Sequence, residues 1–326
     1  MTSRRHLLLA SAAANALAQT PASAHGLPRR TLGRTGQQVS ILTLGGAHIG
    51  RVGQQDKSEA VRMMHYAIDE GINFFDNAWD YLNGAAEEVM GAGLAGGWRQ
   101  KVFLMTKNCG RDYASSRQSL EDSLRRLQTG HVDLWQFHEM NYDTAPDIIF
   151  EQGAMKYALE ALQAGKVRYL GFTGHKDPRI HLKMLAKPYP WATAQMPINV
   201  MDAFYRSFQK EVVPVCNSKQ VGVIGMKCLG GGPLEGRLPA KTKLTAEQCV
   251  RFSLSLPITT LCRGYMKMSQ LEADIRIARN FTPLDSATRA EILKLAEPEA
   301  GDGRHELFKS TQLFDGVHHR KQHGFG

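Results

Sequence analysis

Short apolar segments alternate with amphipathic segments along most of the chain, starting near residue 41. Segments with the length and composition of buried strands are ILTL (41–44), NFFD (73–76), VFLMTK (102–107), VDLWQFH (132–138), YLGFT (169–173), TAQM (193–196), VGVIGMK (221–227) and ITTLC (258–262). They are apolar almost throughout, which is typical of parallel strands covered on both faces. The pattern therefore predicts a parallel sheet with helices packed around it.

The segments between the strands carry the helical pattern. Apolar residues recur at helical spacing in 57–70 and 115–129. Gly71, Gly130 and Gly165 stand just before the next strand, where helix C-caps are common. We therefore predict amphipathic helices between the strands, with Gly71, Gly130 and Gly165 each ending one of them.

About eight strand–helix units over roughly 260 residues match the size of one (β/α)8 barrel. We predict a TIM barrel of the α/β class over residues 27–300, in which LPRRTLGRTGQQVS (27–40) forms an N-terminal β-hairpin with its turn at Gly33 to Gly36. An open doubly wound sheet is the rival fold. It normally shows G-x-G-x-x-G after the first strand, and LGGAHIG (44–50) lacks that spacing. Residues 301–326 are predicted to be an irregular C-terminal tail.

The composition narrows the possible partners. The formal charge is +9, but the basic residues are scattered, and a nucleic-acid interface needs them clustered in a known module. No apolar segment is long enough to span a membrane in the mature chain. The five cysteines are widely spaced without a C-x-x-C pair, which favours neither a disulfide framework nor a metal site.

The first 24 residues have the order of a secretory leader. Arg4 and Arg5 precede an apolar, small-residue stretch, and ASA at 22–24 offers a cleavage site. Paired arginines before leucines resemble a twin-arginine (Tat) signal, which exports folded proteins. We therefore expect a signal peptide over 1–24, cleavage after Ala24, recognition by the Tat machinery and a periplasmic or otherwise exported protein.

Polar residues end three successive predicted strands. Asp76 ends NFFD, Lys107 ends VFLMTK and His138 ends VDLWQFH, with spacings of 107 − 76 = 31 and 138 − 107 = 31 residues. In a barrel the carboxyl ends of the strands share one rim, where the chemistry lies. Tyr81 follows Asp76 by five residues and is expected in the loop above that rim.

These four residues suggest proton transfer to a carbonyl. The phenol of Tyr81 has an ordinary pKa of about 10, and a cation within roughly 4–6 Å favours the phenolate and lowers that pKa. We expect Lys107 to act in this way, held by Asp76, while His138 donates a hydrogen bond to the substrate oxygen. Tyr81 is then a general acid, and a nicotinamide is required to supply hydride.

The motifs GINFFDNAWDY, MTK, VDLWQFH and GKVRYLGFTGH resemble those of the aldo-keto reductase family, in this order and over roughly residues 29–280. The leader, with YLNG and GFTGHKDP, is similar to an exported bacterial subgroup. The resemblance implies a (β/α)8 barrel, NADP(H) across the rim without excluding NAD(H), a small-molecule carbonyl substrate and the tetrad Asp76, Tyr81, Lys107 and His138. The loop from Tyr81 to Glu87 is two residues longer than the family's Y-G-x-x-E.

The resemblance also implies the residues that hold the cofactor. Thr173, Gly174 and Gln195 correspond to the carboxamide site, Met226 to a position that often stacks on the nicotinamide, and Arg263 with Lys267 to the 2′-phosphate site. The full implied set is Gly46, Thr173, Gly174, Gln195, Met226, Lys227, Leu229, Gly231, Arg263, Gly264, Lys267, Gln270 and Asp274. Family members more often carry Asn than Asp at position 274.

Several alternatives stay open. The barrel suits a reductase, a slowly turning nucleotide-binding sensor or regulatory subunit, or a lyase or epimerase in which the same tyrosine acts as a base. Trp79, Leu82 and Met140 are candidate pocket walls, and Asp80 is interpreted as a surface loop residue. His318, His319 and His323 lack nearby Cys or acidic ligands, so we expect a solvated tail and no metal site.

Overall fold

The computed structural model describes residues 26–231 and 238–325. Eight parallel strands close into a barrel in the order β10-β3-β4-β5-β6-β7-β8-β9. The barrel strands are β3 Leu42–Gly45, β4 Phe74–Asp76, β5 Phe103–Asn108, β6 Val132–Phe137, β7 Val167–Thr173, β8 Thr193–Pro197, β9 Gly222–Met226 and β10 Thr260–Arg263. All eight predicted apolar segments supply one strand each, so the predicted (β/α)8 fold is confirmed.

The helices occupy the segments around these strands. The α-helices of the described chain are Gly46–Gln55, Lys57–Asp69, Ala85–Leu94, Tyr113–Arg126, Ala145–Glu151, Ala154–Gln163, Pro178–Ala186, Phe208–Glu211, Val213–Ser218, Leu238–Thr242, Ala246–Leu254, Met268–Arg279, Ser286–Ala296, Leu307–Ser310 and Val317–Gln322. Short 3₁₀ helices are Gly33–Thr35, Tyr81–Gly84, Arg99–Lys101, Glu297–Glu299 and Gln312–Phe314. Within the described ranges, none of these helices has the length and apolar character needed to cross a bilayer.

The helix ends partly follow the predicted pattern. Gly71 and Gly165 have positive φ values of 101° and 70°, as expected for residues that follow a helix. The predicted stop at Gly130 is wrong in its position, because the left-handed residue after Tyr113–Arg126 is Gln128, with φ 53°. Asp112 begins that helix with a capping box to Ser115.

The N-terminal hairpin closes the floor of the barrel. Strands β1 Arg29–Thr31 and β2 Gln38–Ser40 pair antiparallel, as predicted. Leu32 and Val39 are fully buried and pack with interior residues of the strands, among them Phe74 and Ile224. A buried hairpin at the amino-terminal end leaves the carboxyl-terminal rim as the open end of the barrel.

The C-terminal segment differs from the predicted irregular tail. It contains the short helices Leu307–Ser310 and Val317–Gln322, and the side chains of Phe308, Lys309 and His319 are buried. Lys309 donates to Asp202 at 2.6 Å and to Glu306 at 3.1 Å. Because paired charges and aromatic groups are buried there, the segment packs on the barrel as part of the fold.

Candidate active site

Three of the four predicted catalytic residues meet at the carboxyl-terminal rim. Asp76 ends β4 and Lys107 lies near the end of β5, on neighbouring strands. The Nζ of Lys107 donates to Asp76 Oδ1, to the carbonyl of Asn77 at 2.8 Å and to the Tyr81 hydroxyl at 3.2 Å. We call Asp76, Lys107 and Tyr81 the Tyr–Lys–Asp group.

The tyrosine is presented by a strained loop. Tyr81–Gly84 is a 3₁₀ turn in which Leu82 and Asn83 have φ values of 55° and 54°, a left-handed conformation that side chains other than glycine adopt at some cost. Gly84 has φ 94°, and a Cβ there would lie 2.4 Å from the guanidinium carbon of Arg126. The two additional loop residues are therefore accommodated in a compact turn that leaves Tyr81 over the rim.

Burial changes the protonation of this group. Burial raises the pKa of Tyr81, and the ammonium of Lys107 opposes this rise only in part. Burial acts to lower the pKa of Lys107, but Asp76 holds it above its ordinary value. The expected lowering of the tyrosine pKa is therefore not seen in the free site. The phenol is protonated and beside a cation, which suits a proton donor better than a base.

Both oxygens of the Asp76 carboxylate accept hydrogen bonds from other side chains of the protein. Its Oδ2 accepts hydrogen bonds from Gln195 Nε2 at 2.9 Å and Cys262 Sγ at 3.0 Å. With Lys107 on Oδ1, all of these contacts hold Asp76 in place and keep it away from a substrate. Gln195 Oε1 is buried and has no hydrogen-bond partner among the described residues, so it is available to an amide donor.

The fourth predicted residue, His138, follows β6 and belongs to a different set of side chains. Its Nδ1 lies 3.0 Å from Asp80 Oδ1, 3.4 Å from Cys109 Sγ and 3.4 Å from His319 Nε2. These four residues, which we call the rim cluster, place one ligand-type atom each within 4.8 Å of one another. The interpretation of Asp80 as a surface loop residue is wrong, because its side chain is only 15% exposed and faces His138.

The expectation of a solvated histidine tail is also wrong for His319. This residue is completely buried, and it lies next to Asp80 and Cys109, which the sequence places about 240 and 210 residues away. The absence of nearby acids and cysteines in the sequence was the reason to dismiss these histidines. The fold supplies both from other rim loops.

The rim cluster also has shifted pKa values. Burial lowers the pKa of His138, partly opposed by Asp80. Burial acts to raise the pKa of Asp80, but the neighbouring His138 and His319 hold it well below its ordinary range. At neutral pH we therefore assign a carboxylate to Asp80 and a neutral imidazole to His138.

Two adjoining cavities open at the rim. The larger is about 570 Å³ and extends along the ends of β8, β9 and β10, and the smaller is about 450 Å³ and lies over His138. Tyr81 and Met226 line both cavities. The phenol of the Tyr–Lys–Asp group thus stands where a cofactor in one cavity and a substrate in the other would meet.

Most residues implied for the cofactor line these cavities. Those in the larger cavity are Gly46, Gln195, Met226, Lys227, Leu229, Gly231, Arg263, Gly264, Gln270 and Asp274. Thr173 and Gly174 line the smaller one instead, and Lys267 is in the lining of neither. The glycine-rich segment after β9 continues into 232–237, which lies outside the described residues.

Two charged residues at the far end of the larger cavity, Arg263 and Asp274, form an ion pair. Arg263 Nε donates to Asp274 Oδ2 at 2.6 Å, and both side chains are largely buried. The Nζ of Lys227 lies over the rings of Phe314 at 5.1 Å and Phe308 at 5.5 Å, in the C-terminal segment. Lys227, one of the residues expected at the cofactor, is thus directed toward the C-terminal segment.

Other residues of the site were missed from the sequence. Ala47 and His48 line both cavities at the start of the helix after β3, and Arg51 lines the smaller one. Of the three candidate pocket walls, only Leu82 lines a cavity over the rim. Trp79 donates to Asp122 at 3.2 Å, and Met140 is completely buried.

A hollow of about 710 Å³ lies at the opposite end of the barrel, around the hairpin and the starts of β5 and β6. Its polar walls include Arg99 and Asp133, which are paired at 2.9 Å. None of the residues that line the two rim cavities also lines this hollow. Since TIM-barrel chemistry is located at the carboxyl ends of the strands, the smaller rim cavities form the candidate active site.

Comparison with known proteins identifies the family of this chain. The model of the aldo/keto reductase family matches residues 41–294. The uncharacterized oxidoreductase YrpG of Bacillus subtilis is 30% identical over 278 residues, which cover 76% of this chain and 81% of that protein. L-galactose dehydrogenase of Arabidopsis thaliana is 25% identical over 311 residues, or 82% and 94% of the two chains.

A solved structure gives the same result. The holo form of an aldo-keto reductase from Bacillus halodurans superposes with a TM-score of 0.69 at 25% identity, covering 86% of this chain and 99% of that one. Family model, relatives and barrel geometry agree. The chain therefore belongs to the aldo/keto reductase family and is an NAD(P)H-dependent oxidoreductase.

Proposed function

We propose that this protein reduces an aldehyde or ketone to an alcohol with NADPH. The observation that carries the proposal is the Tyr81 hydroxyl, which is 3.2 Å from Lys107 Nζ and lies between two adjoining cavities. A protonated phenol next to a buried ammonium is equipped to protonate an oxygen on which negative charge develops.

Four side chains have a defined part in the proposed reaction. When bound, the nicotinamide would supply the hydride that the carbonyl carbon accepts. Tyr81 donates its proton to the carbonyl oxygen, so that hydride and proton together yield the alcohol. Lys107 stabilises the phenolate that remains, and Asp76 keeps Lys107 charged and in place. His138 lines the substrate cavity and donates a hydrogen bond that orients the carbonyl.

The larger cavity has donor and acceptor groups that suit a nicotinamide nucleotide. The buried Oε1 of Gln195, which has no hydrogen-bond partner in the described part of the chain, would fit the amide N–H of the carboxamide. Met226 lines both cavities, and its thioether would offer an apolar surface to the nicotinamide ring. Gly231 has φ 75° and a bare backbone, which allows close approach of a pyrophosphate.

The preference for NADPH over NADH rests on Arg263 and Lys267. Arg263 lines the larger cavity, and Lys267, which lies outside its lining, directly precedes the helix Met268–Arg279. Charge-assisted hydrogen bonds from such groups favour a 2′-phosphate. Dissociation constants for both nucleotides test this preference, which is wrong if NADH binds as tightly as NADPH.

The variant Tyr81→Phe tests the proton donor. We expect turnover with a panel of aldehydes and ketones to fall by about 10²–10⁴-fold, the usual contribution of a general acid, while NADPH still binds. Tyr66→Phe on the helix Lys57–Asp69 is the matched control and should keep full activity. Undiminished turnover in Tyr81→Phe would remove the proposed role of this residue.

We also propose export through a twin-arginine leader, with cleavage after Ala24. The leader lies outside the described residues, and the proposal rests on its sequence order. An enzyme with a tightly held cofactor benefits from folding before export. N-terminal sequencing of the protein from the periplasmic fraction should begin at His25, and an intact Met1 or Thr2 there would contradict export with cleavage.

A further inference from the structure

The rim cluster has a geometry that hydrogen bonds do not explain. The Nδ1 atom of His138 carries either one proton or one lone pair, yet it has Asp80 Oδ1, Cys109 Sγ and His319 Nε2 within 3.0 to 3.4 Å. One nitrogen cannot satisfy three polar atoms. A metal ion, in contrast, binds several ligand atoms at once, so a cluster in which four ligand-type atoms lie within 4.8 Å of one another suits a metal site.

We propose that the rim cluster is a zinc site with Asp80, Cys109, His138 and His319 as its four ligands. Tetrahedral zinc with bonds of about 2.0–2.3 Å places its ligand atoms about 3.3–3.6 Å apart. The distances here are 3.0 Å from Asp80 Oδ1 to His138 Nδ1 and 3.4 Å from His138 Nδ1 to Cys109 Sγ and to His319 Nε2, while the other carboxylate oxygen, Asp80 Oδ2, lies 3.7 Å from His319 Nε2. One sulfur, two imidazole nitrogens and one carboxylate match the ligand preferences of zinc.

An unpartnered atom supports the same assignment. Asp80 Oδ1 is buried and forms no hydrogen bond among the described residues, although His138 Nδ1 is 3.0 Å away. A buried carboxylate oxygen without a partner is costly. A cation in the middle of the cluster would satisfy it.

The charges balance when the metal binds. The Cys109 thiol loses its proton to solvent and binds as a thiolate, Asp80 binds as a carboxylate, and the two histidines bind as neutral rings. Two negative ligands then neutralise Zn²⁺ in a site whose residues are almost entirely buried. All four positions are filled by protein, which is typical of a structural zinc site.

Outer contacts orient the ligands. His319 Nδ1 lies 3.2 Å from Gln322 Oε1, so the ring can donate there while Nε2 faces the metal. Arg111 Nη2 also approaches this Nδ1 at 3.3 Å, but it donates at 2.6 Å to the carbonyl of His138. Arg111 thus fixes the backbone of one ligand without entering the coordination sphere.

The zinc would link three rim loops to the C-terminal helix Val317–Gln322. Asp80 lies in the loop after β4, Cys109 directly follows β5 and His138 directly follows β6, whereas His319 comes from the last helix. If the proposed reductase function holds, ligation through Nδ1 also leaves the ring proton of His138 on Nε2, the tautomer that donates to a substrate oxygen.

Metal analysis of the purified full chain tests the proposal. After incubation with ZnSO₄ and extensive dialysis, we expect about one zinc per chain by mass spectrometry of the metal, and less than about one-tenth of that in Cys109→Ala and in His319→Gln. Cys216→Ala and His323→Gln are matched controls, a buried cysteine elsewhere and a histidine on the same tail, and should keep the full zinc content. Tyr81→Phe should also keep it, so a failed reductase role would not be mistaken for a failed zinc site.

Cobalt gives a second readout that identifies the ligands. The Co²⁺-loaded chain should show the intense visible bands of a tetrahedral site and a near-ultraviolet thiolate-to-cobalt band, and Cys109→Ala should lose the latter. Far-ultraviolet circular dichroism checks that each variant is folded, and His319→Gln, at the end of the chain, decides the matter if Cys109→Ala is not. Zinc-free wild-type protein, unchanged zinc in the folded variants, or a weak octahedral cobalt spectrum would overturn the proposal.

Discussion

The Tyr–Lys–Asp group and the rim cluster are neighbours at the rim, but their polar atoms are satisfied in different ways. Lys107 has three acceptors, and Asp76 has donors on both oxygens. In the rim cluster, three polar atoms crowd one nitrogen of His138, and an oxygen of Asp80 has no hydrogen bond among the described residues. The first set is complete within the protein, and the second requires a further group.

This difference separates two kinds of function at one rim. A fully satisfied ion pair is preorganised, so it can hold Tyr81, the proposed proton donor, without rearrangement during turnover. The rim cluster joins distant parts of the chain, and its ligand-type atoms suit a metal that fixes the C-terminal segment and His138. We therefore expect the Tyr–Lys–Asp group to determine the rate and the rim cluster to determine order and stability around the substrate cavity.

Lys107→Met should have the largest effect. It leaves the Asp76 carboxylate buried beside an apolar side chain, and breaking a buried pair in this way costs about 3–5 kcal/mol of unfolding free energy. Turnover should be lost as well, because no ammonium remains near Tyr81. Urea unfolding followed by circular dichroism measures the first effect, and NADPH oxidation measures the second.

The double variant Asp76→Asn/Lys107→Met sharpens this result. Removing the carboxylate as well should restore part of the lost stability without restoring activity. Lys294→Met, at an exposed position of the helix Ser286–Ala296, is the surface control and should change little. Equal stability of Lys107→Met and wild type would mean that Asp76 is not held as an ionised partner.

Removal of zinc should have the next largest effect. Free zinc at a hundred times its dissociation constant stabilises the folded chain by about 2.7 kcal/mol, which corresponds to roughly 4 °C in the thermal midpoint of a chain this long. Calorimetry with zinc and with a chelator measures the difference. His319→Gln should show no such difference, whereas an equal chelator effect in that variant would place the metal elsewhere.

The sequence was sufficient for the barrel and the Tyr–Lys–Asp group because both follow a regular period. Each strand is apolar on both faces, and the 31-residue repeat brings Asp76 and Lys107 to the same rim. Tyr81 could be placed because its loop directly follows Asp76. Local pattern and fold agree at these positions, which is why the prediction succeeded.

The rim cluster could not be predicted for the opposite reason. His319 approaches His138 across 181 residues, and its position depends on how the C-terminal segment packs on the rim. Asp80 was interpreted as a surface loop residue because it does not end a predicted strand, and only its position next to Tyr81 in the sequence pointed to the site. Short polar segments without a period carry no information about the partner they will meet.

The anchoring of the C-terminal segment should be sensitive to acid. His175 Nε2 lies 2.9 Å from Asp315 Oδ1 in that segment, and burial lowers the pKa of His175 to about 4, although Asp315 opposes the effect and Lys227 adds to it. The unfolded chain therefore takes up a proton below its ordinary pKa of about 6.5, whereas the folded chain does so only near pH 4. The free energy of unfolding should therefore fall by about 2 kcal/mol between pH 7 and pH 5 because of His175 alone.

Urea unfolding of His175→Gln at several pH values measures this contribution. Between pH 7 and pH 5, the free energy of unfolding of the variant should fall less than that of wild type. This comparison of slopes does not depend on how stable the variant is at pH 7. His131→Gln, at an exposed loop position, should follow the wild-type pH dependence. Identical slopes for His175→Gln and wild type would show that His175 is not buried as a neutral ring.

Asp274→Asn should have the smallest effect, and it tests how the charges at the cofactor end of the site compare with those of the Tyr–Lys–Asp group. Asp274 accepts from Arg263 Nε at 2.6 Å and neutralises it, whereas the proposed 2′-phosphate site needs that cation free. Without the carboxylate charge, Arg263 should attract the phosphate more strongly. We expect NADPH affinity to rise about 5–10-fold relative to NADH, or roughly 1 kcal/mol.

Glu272→Gln, on the same helix but outside the cavity lining, should leave the ratio unchanged. An unchanged ratio in Asp274→Asn, measured by fluorescence titration of both nucleotides, would mean that Arg263 does not contact the 2′-phosphate and that its pairing with Asp274 is structural.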